Sequence, residues 1–266
     1  MSGGTSRIVV HGCESERGAW ELAVAGLNRL LAGSGAFDLV WAATRAEAVA
    51  DAAGVVGLSL LPELWTDAAW DRVEASWRAM AAQCEAAGGV VFVTTILRHL
   101  PADKAERMAR LRRLNLLAAR LSQQYGILVI DLDRTLSHVG ALALRTDARL
   151  DGELGQRAAA RTMLTALLNY GVAGLADDAV LDVAIAAHEA EGVDAPGGLT
   201  LPPELVRFER RKVAGRTQVF ATSRPAFDDR GLQGLLRDLR TGRIGASGFV
   251  RELGRKVVAR MPGRRA

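Results

Sequence analysis

Short apolar runs rich in valine and isoleucine alternate along this chain with longer segments whose apolar residues recur at helical spacing. The apolar runs cover residues 7–11, 37–43, 54–61, 90–97 and 127–131. The longer segments cover residues 16–31, 67–87, 102–125 and 155–169. Uninterrupted apolar runs that alternate with amphipathic helices are typical of a parallel sheet covered on both faces. The pattern predicts an α/β protein, a three-layer α/β/α sandwich around a five-stranded parallel sheet of flavodoxin-like type.

The chain changes character after this predicted domain, which we place at residues 1–175. A helix at 177–190 and a Gly- and Pro-containing linker at 191–198 fill residues 176–204. Residues 205–266 hold 16 Lys or Arg against 5 Asp or Glu, a net charge of +11, whereas the remainder holds 18 against 25, a net charge of −7. Apolar residues recur at helix-like intervals between Leu232 and Val258, so we predict a basic helical C-terminal extension.

A basic extension on an acidic body predicts docking on a protein partner or on an anionic membrane surface. Packing of the extension on the acidic part of its own chain is an equally open alternative. Nucleic acid is the least favoured partner, because few aromatic side chains stand among the arginines.

The N-terminus and the cysteine count favour a cytoplasmic protein. The short polar start of the chain lacks the features of a signal peptide, and no apolar run has the length of a membrane span. Cys13 and Cys84 are too few for a disulfide framework.

Candidate ligand-binding residues follow the predicted strands. In an open parallel sheet, ligands bind beyond the carboxyl ends of the strands. Gly12, Ser59, Arg98 and His99 stand at three of those ends, and Arg145 lies in a later loop. We expect these five residues to line a crevice for a small-molecule or glycan ligand.

Over residues 7–170, the strand order, the segment spacing and the closing helix resemble the Ser-Gly-Asn-His (SGNH), or GDSL-like, hydrolases. The family's Gly-Asp-Ser block falls on Gly12-Cys13-Glu14, which puts Glu14 at the nucleophile position unless a slip of one residue brings in Ser15. The Gly-x-Asn-Asp block falls near Ser59, with Leu61 in place of the asparagine. The Asp-x-x-His block falls on residues 147–150, where Asp147 is kept and Leu150 replaces the histidine.

These departures favour a protein that has lost the family's chemistry. Acyl transfer needs a nucleophile, a base and donors to the developing oxyanion, and the loss of one such donor slows the reaction by about 10²–10³. Leucine can serve as neither base nor donor. We therefore favour a non-catalytic binding or accessory subunit that keeps the crevice for a carbohydrate or acyl ligand.

An esterase or acyltransferase with a rebuilt site is the alternative. Cys13 or Ser15 would then be the nucleophile, with a nearby histidine such as His138 as base, and Glu14 and Asp147 as supporting carboxylates. His11 and His99 also stand near strand ends. Each of these residues can also have a purely structural role. A buried cysteine, for example, behaves as a small apolar group.

Asp131 and Asp133, two apart after the fifth strand, admit two interpretations. Such a pair can share a cation, but an aspartate after a buried strand commonly caps the next helix, and we favour capping. The sequence has neither a dinucleotide fingerprint nor a phosphate-binding Lys-Ser/Thr motif, so we predict no cofactor and no metal.

Overall fold

The computed structural model describes residues 5–32, 35–50 and 54–191, apart from the side chains of residues 138 and 143. Beyond residue 191 it describes the backbone of four short strands. The predicted helices between Leu232 and Val258 lie outside the described residues.

Five parallel strands form the central sheet in the order β2-β1-β3-β4-β5. They are β1 (Ser6–His11), β2 (Phe37–Trp41), β3 (Val55–Ser59), β4 (Val90–Thr94) and β5 (Leu128–Ile130). Every residue of β3 is buried, because helices cover both faces of the sheet, and this is why its sequence shows no polar alternation. The predicted α/β architecture with a five-stranded parallel sheet is confirmed.

Helices form the two outer layers. Their bounds are α1 (Glu14–Leu30), α2 (Arg45–Ala50), α3 (Leu61–Leu64), α4 (Trp70–Ala87), α5 (Met108–Tyr125), α6 (Leu132–Val139), α7 (Ala141–Leu144), α8 (Glu153–Ala166) and α9 (Asp178–Ala190). One half of the core packs α1 and α8 on the sheet around Trp20 and Phe92. The other half packs α4 and α5 on the opposite face around Trp77 and Leu114. The helices α4 and α5 end at Gly88 and Gly126, whose φ angles of +73° and +69° suit glycine.

The sequence prediction misplaces several element ends. The third apolar run reaches residue 61, but β3 ends at Ser59, and Pro62 stands in the first turn of α3. The fourth run reaches residue 97, but β4 ends at Thr94, while Ile96 and Leu97 remain buried beyond it. These apolar runs extend beyond their strands because the chain remains inside the core after the hydrogen bonding between strands has ended. The predicted helix at 102–125 divides into a 3₁₀ segment, Ala102–Arg107, and α5.

Two antiparallel strand pairs follow α9. The strand β6 (Val193–Ala195) pairs with β7 (Leu199–Leu201), inside and just after the predicted linker. The strand β8 (Arg207–Val213) pairs with β9 (Arg216–Thr222). The first part of the basic extension is therefore a strand pair and not helical, in keeping with the β-branched and aromatic residues of β9.

None of the helices within the described ranges combines the length and the apolar composition that a membrane crossing needs.

Gly57 in β3 provides a test of the packing between α1 and the sheet. A Cβ at this position would lie 2.7 Å from two ring atoms of Trp20 and 3.1 Å from Val10 Cγ2. We expect Gly57→Ala to lower the free energy of unfolding by about 1–3 kcal/mol through overpacking, as measured by urea denaturation.

The matched control is Gly54→Ala, whose new Cβ would meet its nearest neighbour, the Arg7 carbonyl oxygen, at an ordinary 3.5 Å. We expect this variant to stay within about 0.5 kcal/mol of the parent protein. Equal stability of the two variants would contradict the close contact between Trp20 and β3.

Candidate functional site

The order of the strands reverses at β1, and this reversal locates the candidate site. The strand β1 lies between β2 and β3, so the chain leaves it toward β2 on one side and later returns to β3 on the other. In such sheets a crevice opens at the carboxyl ends of the two strands beside the reversal. Glu16, from the first turn of α1, and Ser59, the last residue of β3, meet at this point.

The Glu16 carboxylate joins three segments of the chain. Its Oε2 accepts a 2.9 Å hydrogen bond from the backbone N–H of Cys13, and its Oε1 accepts a 2.8 Å bond from the Ser59 hydroxyl. The Ser59 oxygen in turn accepts a 3.0 Å bond from the backbone N–H of Leu61. Glu16 is only 2% exposed, so its side chain fills the space at the reversal instead of opening it to a ligand.

Burial changes the acidity of Glu16. Removal from water raises the pKa of this carboxyl from 4.5 to about 7, although the hydrogen bonds from Cys13 and Ser59 oppose the rise. The buried hydroxyl of Thr94 also lowers the pKa of Glu16, yet it makes no hydrogen bond of normal geometry. Near neutral pH the protein therefore holds a mixture of neutral and ionised Glu16.

Gly12 packs directly beneath this carboxylate. A Cβ at Gly12 would lie 2.9 Å from Glu16 Oε2 and 3.1 Å from the Ser59 Cβ. Gly12 and Ser59, two of the residues expected in the crevice, are thus close together, but both contact the Glu16 carboxylate.

The candidate nucleophiles lie at the start of α1. Cys13 caps the helix, and burial together with the nearby Glu16 carboxyl raises the pKa of its thiol to about 12. The side chain of Ser15 is half-buried. Glu14, at the position of the family's serine, is exposed and forms a 3.2 Å ion pair with Arg17, whose guanidinium lies 5.1 Å from the centre of the Trp41 ring. The thiol thus stays protonated, and the carboxylate at position 14 faces solvent.

Leu61, at the position of the oxyanion-binding asparagine, belongs to the core. Its side chain is 1% exposed, and its backbone N–H is used by Ser59. Neither its side chain nor its amide is available to donate to a ligand.

Asp147 is paired with an arginine. It accepts a 2.7 Å bond from the backbone N–H of Arg149 and a 2.9 Å bond from Nη2 of the same residue. Leu150 has a φ of +56°, a conformation that costs a non-glycine residue roughly 1–2 kcal/mol, and its side chain is 3% exposed within the core. An ion pair and a buried leucine therefore hold the loop in which the resemblance places a catalytic histidine.

His11 and His99 each contact a neighbouring segment of the chain. His11 Nδ1 lies 3.3 Å from the carbonyl oxygen of Ala42. The carbonyl of His99 accepts a 2.8 Å bond from the backbone N–H of Ala148, which fastens the loop of Asp147. His138 lies in α6, and its side chain is outside the described part.

The two aspartates after β5 have different roles: Asp131 caps a helix and Asp133 pairs with an arginine. Asp131 caps α6 by accepting from the backbone N–H of Arg134 at 3.1 Å, so the favoured interpretation is confirmed. Asp133 binds the backbone N–H of Arg98 at 2.9 Å and its guanidinium at 2.6 Å.

The described residues contain no group of three or more His, Cys, Asp or Glu side chains that could hold a metal ion. Arg145, the last residue expected in the crevice, is exposed, with a φ of +51°.

Two grooves stand out in the described part of the structure. One, of about 390 Å³, lies over β1 and β2 beside α2, and the other, of about 440 Å³, lies between α1 and α8. Neither is lined by Glu14, Leu61 or Leu150.

Glu16 is the residue that sequence reasoning missed. Its position three residues after Cys13 is the spacing of a capping box, which is the available signal. That signal predicts a helix start, but not burial, because its partner Ser59 lies 43 residues away.

Several solved structures are similar to this chain. One is the acetyl xylan esterase AlAXEase, with a TM-score of 0.49, 16% sequence identity, and coverage of 60% of this chain and 99% of that one. Another is Axe2, an acetylxylan esterase from Geobacillus stearothermophilus, with a TM-score of 0.47, 12% identity, and coverage of 62% and 95%. A third is a GDSL-like lipase from Bacteroides thetaiotaomicron, with a TM-score of 0.46, 11% identity, and coverage of 64% and 92%.

The sequence itself matches no protein-family model and no curated protein. The chemistry of this chain therefore depends on its own residues.

The raised pKa of Glu16 predicts a pH-dependent stability. The pKa is about 7 in the folded protein and 4.5 in the unfolded chain, so the folded state binds the proton more tightly. The stability that the folded protein gains from binding this proton is fully present below pH 4.5 and is lost as the pH rises through 7. Relative to the parent protein, we expect Glu16→Gln to gain roughly 3 kcal/mol in free energy of unfolding over this interval.

Urea denaturation at several pH values measures that difference. The matched control is Glu14→Gln, which removes an exposed carboxylate from the same helical turn. We expect its difference from the parent protein to stay nearly constant with pH. A constant difference for Glu16→Gln as well would contradict the buried, proton-binding carboxyl.

Proposed function

We propose that this protein is a non-catalytic member of the SGNH-hydrolase fold that acts as a binding or accessory subunit. The observation that carries this proposal is Leu150, whose side chain is buried in the core at the position of the family's catalytic base. No proton can be taken from a nucleophile by this side chain, and its loop is held by the pair between Asp147 and Arg149.

Two further positions support the loss of chemistry. The nucleophile position holds Glu14, an exposed carboxylate already paired with Arg17. The position of the oxyanion donor holds Leu61, whose side chain is apolar and whose amide is engaged by Ser59. Base, nucleophile and donor are therefore replaced together, and each replacement is part of an alternative set of contacts.

The geometry also disfavours a rebuilt site at Cys13 or Ser15. A nucleophilic cysteine acts as the thiolate, but burial, with a smaller contribution from the Glu16 carboxyl, raises the pKa of Cys13 to about 12. Neither Cys13 nor Ser15 forms a hydrogen bond with His11 or His99, so these two histidines do not activate them.

Docking through residues 205–266 is the second part of the proposal. The support is the net charge of +11 on this segment against −7 on the rest of the chain. Such a segment favours an acidic surface, either an acidic protein or an anionic membrane.

Two probes test the docking role of the full-length protein. Vesicles containing phosphatidylserine represent an anionic membrane, and immobilised polyglutamate represents an acidic protein surface. We expect binding to at least one probe at low salt, with loss of binding as the ionic strength rises. Absence of binding to both probes at low salt would contradict this role.

Hydrolysis of p-nitrophenyl acetate and acetylated sugars tests the loss of catalysis. We expect the purified protein to show no turnover above the buffer rate. The double variant Cys13→Ala/Ser15→Ala should give the same trace. Glu14→Ser should also stay inactive, because a serine at this position still lacks a base.

The same assay separates real turnover from contamination. Turnover by the parent protein that disappears in the double variant would overturn the proposal in favour of a rebuilt esterase site. Turnover that persists unchanged in the double variant would exclude Cys13 and Ser15 as its source.

A further inference from the structure

The strand β2 forms one edge of the central sheet. It pairs with β1 alone, and the strands β6 to β9 form two separate pairs, so no described strand lies against its outer side. Two hydrogen bonds fix its orientation: the N–H of Ala42 donates to the carbonyl of Val10 at 2.8 Å, and the N–H of Ser6 donates to the carbonyl of Ala36 at 2.9 Å. Backbone groups of successive residues in a strand point to opposite sides. The even-numbered residues from 36 to 42 therefore face β1, and the odd-numbered residues face outward.

Side chains of the protein itself cover both ends of this outward row. At one end the Asn28 side chain, from α1, accepts a 2.8 Å bond from the N–H of Phe37 and donates a 2.9 Å bond to the Phe37 carbonyl. At the other end the Glu47 carboxylate accepts a 2.9 Å bond from the N–H of Ala43. Between these two caps, the outward N–H and C=O groups of Leu39 and Trp41 bind no described residue.

The side chains along the middle of this edge are apolar and partly exposed. Leu39, Val40 and Trp41 are each half-buried, and Val40 and Trp41 line the open groove of about 390 Å³ over β1 and β2. Edge strands are commonly protected from pairing by proline, by lysine or by a bulge. The strand β2 contains neither residue, and its register with β1 runs without a bulge, with Asp38 as its one charged residue. The edge is thus open to a further strand.

The open backbone groups match a second copy of the same edge. When two copies of β2 run antiparallel about a two-fold axis at Val40, Leu39 of each copy lies opposite Trp41 of the other. Two opposed residues of a hydrogen-bonded pair exchange both of their N–H···O bonds. The two open donors and two open acceptors of each copy are then all satisfied by those of the other.

The side chains also suit this register. On one face, Leu39 lies beside Trp41 of the other copy, an aliphatic–aromatic pair of the kind that stabilises adjoining strands. On the other face, the two Val40 side chains meet at the axis, with Cα atoms about 4.5 Å apart as in a non-hydrogen-bonded pair. Asp38 lies opposite Ala42, so the carboxylates of the two copies do not face each other.

We propose that β2 pairs with β2 of a second copy of this chain, antiparallel about Val40, and joins two five-stranded sheets into one continuous sheet. The same surface serves both partners, as in other two-fold dimers. The contact is short, so the dimer is weak and reversible. This interface does not depend on the proposed function, because Glu14, Leu61 and Leu150 take no part in it.

Sedimentation velocity of the full-length protein measures the association. A salt concentration of about 0.5 M screens attraction between the basic C-terminal segment and acidic surfaces, whereas strand pairing persists in it. We expect a monomer–dimer equilibrium with a Kd of about 10–300 μM, in the range of weak interfaces. A protein that stays monomeric up to about 1 mM would rule the interface out.

Hydrogen exchange of the parent protein, followed by NMR at concentrations below and above this Kd, locates the interface without any substitution. The amides of Leu39 and Trp41 should exchange several-fold more slowly in the dimer. The amides of Asp38 and Val40, which face β1, and the capped amide of Phe37 serve as internal controls and should change little. Dimerisation that leaves the exchange of Leu39 and Trp41 unchanged would show that another surface is used.

Substitutions at the axis test the register. Val40→Lys places two like charges directly opposite each other and should raise the dimer Kd at least about tenfold. The control is Ala119→Lys, which adds the same charge at an exposed position of α5 and should leave the Kd unchanged. Equal Kd values for these two variants would contradict pairing about Val40.

A mixture of Val40→Lys and Val40→Glu provides a rescue. Opposite charges meet across the axis only when the two variants pair with each other, so the equimolar mixture should dimerise roughly tenfold more tightly than either variant alone. Rescue also shows that both variants are folded. If two variants with native circular dichroism associate no better together than apart, the register is wrong. Since these experiments measure association and not ester hydrolysis, the proposed function is judged separately by its own assay.

Discussion

The buried carboxylate of Glu16 is the interaction around which the carboxyl end of the sheet is built. It ties the start of α1 to the last residue of β3, at the point where the order of the strands reverses. Gly12 must lack a side chain because the carboxylate lies against it, and the amide of Leu61 is fixed through Ser59. The place where a doubly wound sheet commonly holds a ligand is thus occupied by a side chain of the protein itself.

The positions that the resemblance matches to catalytic motifs hold side chains with structural contacts. Ionisation of a buried carboxyl is unfavourable, and two hydrogen bonds to Glu16 offset part of this effect. Leu61 and Leu150 face the core, and the aspartate of the last motif is paired with Arg149.

Much of the fold follows from local pattern, whereas the site follows from contacts across the chain. The strands are predictable because strands buried on both faces leave continuous apolar runs, as in β3. Their ends are less predictable, because residues such as Ile96 stay buried after pairing has stopped. Leu150, at the position that the resemblance matches to a catalytic histidine, can be read directly from the sequence. The burial of Glu16 and the hydrogen bond from Arg161 to the His188 carbonyl cannot, since they depend on partners 43 and 27 residues away.

Intact-mass spectrometry of the native protein after incubation with a fluorophosphonate shows whether this fold carries an activated serine. Such reagents attach covalently to a serine hydroxyl that a neighbouring base has activated. We expect an unchanged mass, because no described side chain forms a hydrogen bond with the Ser15 hydroxyl and the position that the resemblance matches to a catalytic histidine holds Leu150. A single stoichiometric adduct on Ser15 would contradict the account and establish a working nucleophile on this scaffold.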